Sequence, residues 1–284
     1  MMLLRKSRPS SQPNVHPQNQ VGHFTALGTH WQIVLPELTA KEQREVIKVL
    51  RLKLEEYEQV YSRFRPGSLV GQMARQAGTY RFPNTITPLW QLYEQLALLT
   101  NNRFTPFIGS LISSAGYDPE YSLQTKSLKA PPDWDSIQVS YPNMTASQPV
   151  ELDFGAAGKG YAVDLLIAEL ASLSIHAAYI NAGGDIRHCT PKREDHITVG
   201  LEHPHNDQQV IGTVTLHNQS LCGSAGNRRA WGSFHHIIDP HTLASPKHIA
   251  SAWVIADSTL LADALATCLF LVEPTQLQKH FNFD

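Results

Sequence analysis

The sequence has few cysteines, almost no net charge and no long apolar run, and each shortage excludes a class of protein. Three cysteines occur in 284 residues, without CxxC spacing, which argues against a disulfide scaffold or a zinc site. The net charge is only −2, so there is no electrostatic case for binding nucleic acid or an anionic membrane surface. No run of about 18 apolar residues occurs, so no membrane span is predicted.

The N-terminal region also lacks the apolar core of a secretory signal. Only residues 1–4 form an apolar run before the basic residues begin, and residues 1–20 are rich in Pro, Ser, Gln and Asn. This composition predicts a disordered tail. A cytoplasmic location is the default expectation. Residues 21–284 are expected to form one domain, because 42% of the chain is hydrophobic and its length can bury a large core.

Helix and strand patterns are mixed along the rest of the chain. Residues 24–35 read as one strand, Thr39 and Glu42 form a capping box that opens a helix, and Thr87 reads as the N-cap of a second helix that begins at Pro88. Further strands are predicted at 137–139, 150–154, 177–181, 196–201, 210–216, 220–222, 234–238 and 251–256. The pattern predicts an α+β fold with mixed, mostly antiparallel sheets, flanking helices and two closely packed halves.

One candidate site lies on the helix predicted at 258–271. Asp263 and Thr267 are four residues apart, so they share one helix face and their oxygens could bind one hard cation. Taken alone, the pair fits better with a solvent-facing Asp263 and a Thr267 that bonds back to a helix carbonyl. The helix is apolar on nearly every side, however, and a buried carboxylate is costly unless it is paired or bound to a metal.

A second candidate site is the turn at 155–160, where a predicted strand opens into a helix. Free amides at a helix N-terminus bind phosphate, and Lys159 would add charge. The spacing does not match a Walker A loop, because only two residues separate Gly155 from Gly158 and Gly160 follows the lysine. A plain tight turn with an exposed lysine is equally consistent with this segment.

Two further segments could contribute to such a site. Residues 181–185, NAGGD, follow a predicted strand and could let a ligand approach, but they fit a plain turn as well. His235 and His236 begin another predicted strand and point to opposite faces, so at most one of them serves a given site. A histidine beside a magnesium-bound phosphate is a credible general base. Phe64 and Phe107 could stack on an aromatic ring, although such residues are more often core.

Taken together, seven segments resemble the FAD:protein FMN transferase family, also called ApbE-like, in order over most of residues 24–272. They are LGT at 27–29, YSRFRPGS at 61–68, FTPFIGSL at 104–111, LDFGAAGKGYAVD at 152–164, NAGGD at 181–185, HIIDP at 236–240 and ADALAT at 262–267. Members of this family bind FAD and magnesium, cleave the pyrophosphate and pass FMN to a Thr or Ser hydroxyl of a target protein, releasing AMP. The resemblance therefore implies the same reaction here.

The resemblance also implies roles for individual residues. The metal ligands would be Asp263, Thr267 and the backbone carbonyl of Ala156. His236 would be the base for the acceptor hydroxyl, and Asp263 would serve catalysis through the metal. The residues expected to bind the FAD are Leu27, Phe64, Thr105, Pro106, Phe107, Asp153, Lys159 and Ile237.

Some positions depart from the family pattern, and they keep other functions open. Thr105 stands in place of an Asp, Phe107 in place of a Thr and Leu27 in place of a Met. The metal and phosphate positions match, so the departures bear on the target more than on FAD. Two alternatives follow: a magnesium-dependent FAD pyrophosphatase that releases FMN and AMP, and a flavin-binding module without catalysis.

Overall fold

The computed structural model describes residues 22–284, so the tail predicted at residues 1–20 lies outside the described residues. None of the helices in the described range combines the length and apolar character that crossing a membrane requires. The strands are β1 His23–Ala26, β2 Thr29–Val34, β3 Gly78–Arg81, β4 Ile137–Ser140, β5 Asn143–Ala146, β6 Ala178–Ala182, β7 Asp185–Cys189, β8 Ile197–His203, β9 Asn206–Leu216, β10 Ser220–Ala225, β11 Ala230–Trp231, β12 Phe234–His235 and β13 Ser251–Ala256. The helices are α1 Ala40–Tyr61, α2 Leu69–Met73, α3 Thr87–Leu99, α4 Gly109–Ala115, α5 Gly158–Ser172, α6 Thr259–Cys268 and α7 Pro274–Leu277.

The largest sheet joins six strands from both ends of the described chain. Its order is β1-β2-β6-β7-β10-β13, and each neighbouring pair is antiparallel. A three-stranded antiparallel sheet has the order β3-β5-β4, while β8–β9 and β11–β12 form separate hairpins. The predicted α+β fold with antiparallel sheets and flanking helices is confirmed.

Different elements cover the two faces of the six-stranded sheet. Ile180 of β6 belongs to the main core cluster together with Leu166 of α5 and Leu265 of α6. Its neighbour Tyr179 packs in another cluster with Val199 of β8. Because successive side chains of a strand point to opposite faces, α5 and α6 lie on one face and the β8–β9 hairpin lies on the other.

Helix α1 begins at the predicted capping box and fixes the start of α5. Thr39 Oγ1 accepts a hydrogen bond from Glu42 N at 3.4 Å, and the Glu42 carboxylate accepts one from Thr39 N at 2.8 Å. This reciprocal pair satisfies two amides at the helix start. On the buried face of α1, Tyr57 Oη donates to Gly158 O at 2.9 Å, so the first residue of α5 is tied to α1.

The single strand predicted at 24–35 is wrong, because the chain folds back within it. Leu27 and Gly28 have positive φ angles of 48° and 68°, and Ala26 then pairs with Thr29 across the turn. Positive φ at both central residues is typical of the type I′ hairpin turn. Glycine adopts this conformation readily, whereas leucine does so at a cost.

The strand predicted at 150–154 is also wrong. Val150 N donates to Met73 O at 2.9 Å and Asp153 N donates to Pro106 O at 2.8 Å, and neither acceptor belongs to a strand. Four strands, β3, β5, β7 and β11, lie in segments where no strand was predicted.

The prediction of Thr87 as an N-cap is wrong as well. Thr87 is the first residue of α3, after a 3₁₀ turn at Asn84–Ile86, and the N-cap position is Ile86. The Thr87 hydroxyl donates to Asn84 O at 3.3 Å, so the 3₁₀ turn starts the helix where a side-chain cap was expected.

Candidate active site

The turn at 155–160 leads directly into α5. Asp153 Oδ1 accepts a hydrogen bond from Gly155 N at 2.5 Å, which closes the turn, and Gly158 is the first helical residue. The N-terminus of α5 has no side-chain cap. Of its first amides, that of Gly160 donates to Asp263 Oδ2 at 2.8 Å. The amides of Gly158 and Lys159 precede the first intrahelical bond, and they could serve a phosphate-binding helix start.

Helices α5 and α6 touch backbone to backbone at Gly160. A Cβ added at Gly160 would lie 2.2 Å from Thr259 O and 2.7 Å from Asp263 Cβ, so only glycine fits. Gly160 N donates to Asp263 Oδ2 at 2.8 Å. The glycine thus sets both the approach of the two helices and the position of the carboxylate.

The N-terminus of α6 is capped from α5 by Asp164. Its carboxylate oxygens accept hydrogen bonds from Thr259 N at 3.0 Å and Leu260 N at 2.9 Å. Ser258 Oγ accepts a third from Leu261 N at 3.2 Å. Three of the four free amides of the first turn are therefore satisfied, and α6 is anchored where it meets α5. Burial raises the pKa of Asp164 despite these hydrogen bonds.

We expect Asp164→Ala to lower the free energy of unfolding by about 2 kcal/mol, because two amides at the start of α6 lose their acceptor. Urea unfolding followed by circular dichroism measures the change. Asp257→Ala is the matched control, since Asp257 is exposed and should change stability by less than about 0.5 kcal/mol. Equal effects of the two substitutions would show that the cap contributes nothing.

Lys159 lies between two buried carboxylates, those of Asp185 and Asp263. Its Nζ is 2.6 Å from Asp185 Oδ2 and 3.4 Å from Asp263 Oδ1. Burial raises the pKa of Asp263, and the neighbouring Asp185 raises it further against the opposing effect of Lys159. Burial acts to lower the pKa of Lys159, but the two carboxylates outweigh it and raise that pKa. When both carboxylates are ionised, they leave the cluster one negative charge in excess of the single ammonium.

A set of hard oxygen atoms lies one helical turn further along α6. Thr267 Oγ1 donates to Ala156 O at 3.4 Å and lies 3.2 Å from Ser224 Oγ. Asp263 and Thr267 are 3% and 9% exposed, so the donors are shielded from bulk water. Carboxylate, hydroxyl and carbonyl oxygens are the ligands that magnesium accepts, and the excess negative charge favours a cation. The residues present therefore fit a magnesium ion.

The oxygen atoms of Asp263, Thr267 and Ala156 form a different kind of site from one rich in acidic or imidazole ligands. Within residues 22–284, no group of three or more His, Cys, Asp and Glu side chains is arranged to hold a metal ion. Magnesium usually binds through one or two carboxylates and keeps waters or substrate phosphates as its other ligands. One carboxylate with a hydroxyl and a carbonyl is compatible with that pattern.

His236 lies just after β12, which ends at His235 and is shorter than the strand predicted at 234–238. His236 N donates to Arg229 O at 3.0 Å, and its buried Nδ1 has no hydrogen-bond partner. Burial lowers the pKa of His236 to about 3, and the nearby positive charges of Arg229 and Lys159 act in the same direction. The imidazole is therefore neutral at physiological pH, and in this environment it is a weak base.

The residues expected to line the flavin pocket fall into different environments. Phe107 is fully buried and packs edge-on against Trp90 and Trp134, so its ring belongs to the core. Phe64 is half-buried, with the Arg63 guanidinium 4.2 Å from its ring centroid and the Tyr121 ring stacked at 5.2 Å. The remaining positions are Leu27, half-buried at the β1–β2 turn; Thr105, buried and accepting from Phe107 N; Pro106, buried; and Ile237, buried in the main core.

Asp153, expected to contact FAD, is engaged within the protein. Its carboxylate forms a short ion pair with Arg63, and both side chains are largely buried. Arg63 also donates to Tyr117 O at 2.7 Å. Asp153 therefore holds the turn at 155–160 against Arg63, and the structure gives it a positioning role.

Two residues of this region, Asp185 and Arg63, were not predicted from the sequence as members of the site. The sequence places Asp185 only at the end of a glycine turn, yet its side chain is 2% exposed and pairs with Lys159. Arg63 lies next to Phe64 in the YSRFRPGS segment. An acidic residue that begins a strand after two glycines, and an arginine in an aromatic turn, are weak signals, because their partners are distant in sequence.

Comparisons with known proteins agree on one family. The family model described as the ApbE family matches residues 27–283. An FAD:protein FMN transferase of Rhodobacter capsulatus is 26% identical over 262 residues, covering 87% of this chain and 50% of that protein. One from Klebsiella pneumoniae is 26% identical over 255 residues, covering 84% of this chain and 78% of that protein. This chain thus spans about half the length of the Rhodobacter relative.

Solved structures share the fold. The ApbE protein of Thermotoga maritima has a TM-score of 0.78 and 22% identity, covering 90% of this chain and 88% of that chain. The flavin transferase ApbE of Vibrio cholerae has a TM-score of 0.71 and 19% identity, with the same coverage. At these identities the likeness shows the fold, and it agrees with the match to the family model.

Proposed function

The chain belongs to the ApbE family, and from that premise we propose that it is an enzyme that transfers FMN from FAD to a Thr or Ser hydroxyl of a target protein. The observation that carries the proposal is the convergence of α5 and α6. Asp263 contacts Lys159 and Gly160 at the start of α5, and Thr267, one turn further along α6, contacts Ala156 in the turn that precedes α5. A helix N-terminus, a cation and hard oxygen donors are what a metal-bound pyrophosphate needs.

We propose that a magnesium ion is held by Asp263, Thr267 and the carbonyl of Ala156. When bound, it would neutralise charge on the pyrophosphate oxygens. The protein's own part is positioning: Gly160 N fixes Asp263 Oδ2 at 2.8 Å, and the capped start of α6 fixes the helix. Lys159, beside the start of α5, supplies a further positive charge toward the phosphates.

The acceptor hydroxyl attacks the phosphorus of the FMN half of FAD. A new phosphoester bond forms, the pyrophosphate P–O bond breaks and AMP leaves with the bridging oxygen. His236, which is neutral, takes the hydroxyl proton. A bound anionic pyrophosphate would oppose the positive charges that lower the pKa of His236, and so would make the imidazole a stronger base.

We further propose that residues 21–284 act as one flavin transferase domain. The family model covers residues 27–283, and the main core cluster contains residues from Trp31 to Leu277. The cytoplasmic location expected from the sequence stays a prediction, which fractionation of the native cells would test.

The test is to incubate the protein with FAD and magnesium, with and without a tagged acceptor domain that carries a flavinylation-type threonine. AMP release and in-gel flavin fluorescence are followed together. A fluorescent acceptor band with AMP supports the transferase. AMP release that does not depend on the acceptor supports the pyrophosphatase, and FAD binding without AMP supports the binding module.

We expect His236→Gln to lower the transfer rate about a hundredfold, because the acceptor hydroxyl loses its base, while FAD binding stays close to wild type. Stopped-time gel fluorescence measures the rate, and quenching of flavin fluorescence measures binding. His241→Gln is the control, since His241 is exposed and five residues away. An unchanged transfer rate in His236→Gln would exclude His236 as the base.

A further inference from the structure

Lys159 contacts two carboxylates that come from different elements. Its Nζ lies 2.6 Å from Asp185 Oδ2, at the start of β7, and 3.4 Å from Asp263 Oδ1, on α6. The two acidic side chains are 2% and 4% exposed, whereas that of Lys159 is 24% exposed. The lysine is therefore the least buried member of the cluster. Its ammonium forms the shorter ion pair with Asp185, whose Oδ2 has no hydrogen-bond partner within residues 22–284, and it donates a longer hydrogen bond to Asp263 Oδ1.

The two oxygens of Asp263 have different partners. Oδ2 accepts a hydrogen bond from Gly160 N at 2.8 Å, and Oδ1 faces the Lys159 ammonium. The Gly160 amide belongs to the α5–α6 contact and cannot move without separating the helices. Oδ1, the oxygen that Lys159 also contacts, is therefore the oxygen of Asp263 that a cation can approach without competing with the Gly160 amide.

We propose that Lys159 is an internal counter-ion that competes with the divalent cation for Asp263, and that Asp185 is the positioning residue that keeps Lys159 from closing on it. This inference rests on the proposed magnesium-dependent function and goes beyond it. The proposal is based on the unequal distances, because the Lys159 ammonium is 0.8 Å closer to Asp185 than to Asp263. Asp185 thus attracts the Lys159 ammonium away from Asp263, and Oδ1 of Asp263 stays accessible to a metal ion.

The proposal predicts opposite effects for the two partners. Removing the Lys159 charge should tighten magnesium binding, because a positive charge beside the site opposes a second cation. Removing the Asp185 charge should weaken binding, because Lys159 is then left to Asp263 alone. If Asp185 were instead a metal ligand, its loss would weaken binding whether or not Lys159 is present.

The experiment measures magnesium affinity without FAD, by isothermal titration with MgCl₂ and by the magnesium-dependent rise in melting temperature. We expect Lys159→Met to bind magnesium roughly tenfold more tightly and Asp185→Asn roughly tenfold more weakly. In the double variant, Asp185→Asn should weaken magnesium binding by less than about threefold, because the Lys159 ammonium that would close on Asp263 is absent. Lys53→Met is the control, since Lys53 pairs with Glu56 and Glu169 on the surface and should leave magnesium affinity unchanged.

Lys159→Met could fail to fold, because it leaves two buried carboxylates without a counter-ion. If Lys159→Met does not fold, the magnesium affinities of Lys159→Arg and Asp185→Asn are measured in its place. Lys159→Arg keeps the charge and should bind magnesium within about threefold of wild type, while Asp185→Asn should still bind it more weakly.

Each outcome bears on the proposal. Tighter binding in Lys159→Met with weaker binding in Asp185→Asn supports it. If the wild type binds magnesium and Lys159→Met binds it equally well or more weakly, the counter-ion role is overturned. If Asp185→Asn weakens magnesium binding as much in the double variant as it does alone, the positioning role is overturned. Absence of magnesium binding by the wild type would instead overturn the metal-dependent function on which the inference rests.

Discussion

Asp263→Asn is expected to lower FMN transfer at least about a thousandfold. The substitution keeps the shape of the side chain and an oxygen that can accept from Gly160 N, but it removes the one carboxylate in the proposed magnesium set. Charge neutralisation on the pyrophosphate is the main catalytic need of phosphoryl transfer. Losing the anionic ligand therefore affects both metal occupancy and the stabilisation of the transition state.

Two measurements separate this loss of function from a loss of fold. Without magnesium, the melting temperature of Asp263→Asn should stay within a few degrees of wild type, because the substitution relieves the repulsion from Asp185. With magnesium, the wild type should gain stability and the variant should not. Asp257→Asn, on an exposed residue just before α6, should behave as wild type in both assays. A variant that retains more than about a tenth of the transfer rate would rule out Asp263 as a metal ligand.

Gly160→Ala is expected to lower the free energy of unfolding by about 3 kcal/mol and to abolish detectable transfer. Replacing glycine by alanine in a helix usually stabilises it by roughly 1 kcal/mol. Here the new methyl group would lie 2.2 Å from Thr259 O and 2.7 Å from Asp263 Cβ. These atoms are fixed in the neighbouring helix, so α6 must move away and the strain is larger than the helical gain.

A loss of stability in Gly160→Ala, where a gain is usual for a helix, would indicate strain at the α5–α6 contact. Thermal unfolding should show a melting temperature lower by roughly 6–12 °C. Gly67→Ala is the matched control, because a Cβ at Gly67 meets nothing within 4 Å, and that variant should melt within about 2 °C of wild type. A Gly160→Ala protein as stable as wild type would mean that the α5–α6 contact adjusts freely, and the close approach would then not explain the position of Asp263.

Signals carried by a few neighbouring residues predicted local structure well. The Thr39–Glu42 capping box opens α1 as expected, and the helix carrying Asp263 and Thr267 was located because its apolar residues are continuous. Thr87 and Pro88 are also a local pattern, yet α3 grows from a preceding 3₁₀ turn. Where a turn already supplies the first hydrogen bonds, a side-chain cap is not needed.

Strand assignment failed where the hydrogen-bond partner decides the structure. Residues 150–154 are apolar enough for a strand, but their amides donate to the carbonyls of Met73 and Pro106, which belong to a helix end and a 3₁₀ turn. A strand exists only when another strand lies beside it, and the sequence of one segment does not state its neighbour. The same reason explains why β3 and β5, each four residues long, were missed.

The site was partly predictable for a related reason. Asp263 and Thr267 share a helix face, so their spacing alone brings them together. The pairing of Lys159 with Asp185, and of Asp153 with Arg63, joins residues far apart in sequence, and no periodicity reports such contacts. The resemblance to a family supplied positions, and contact of Asp153 and Phe107 with FAD stays a prediction. The structure shows Asp153 in an ion pair and Phe107 in the core.

The stacking of Tyr121 on Phe64 has a consequence for the kinetics of FAD association. The Arg63 guanidinium lies 4.2 Å from the Phe64 ring centroid, and the Tyr121 ring stacks on Phe64 at 5.2 Å. A flavin that stacks on Phe64 would have to displace Tyr121 first, and association would then include a unimolecular step. In stopped-flow experiments the observed rate would level off as the FAD concentration rises, and Tyr121→Ala would restore a linear dependence.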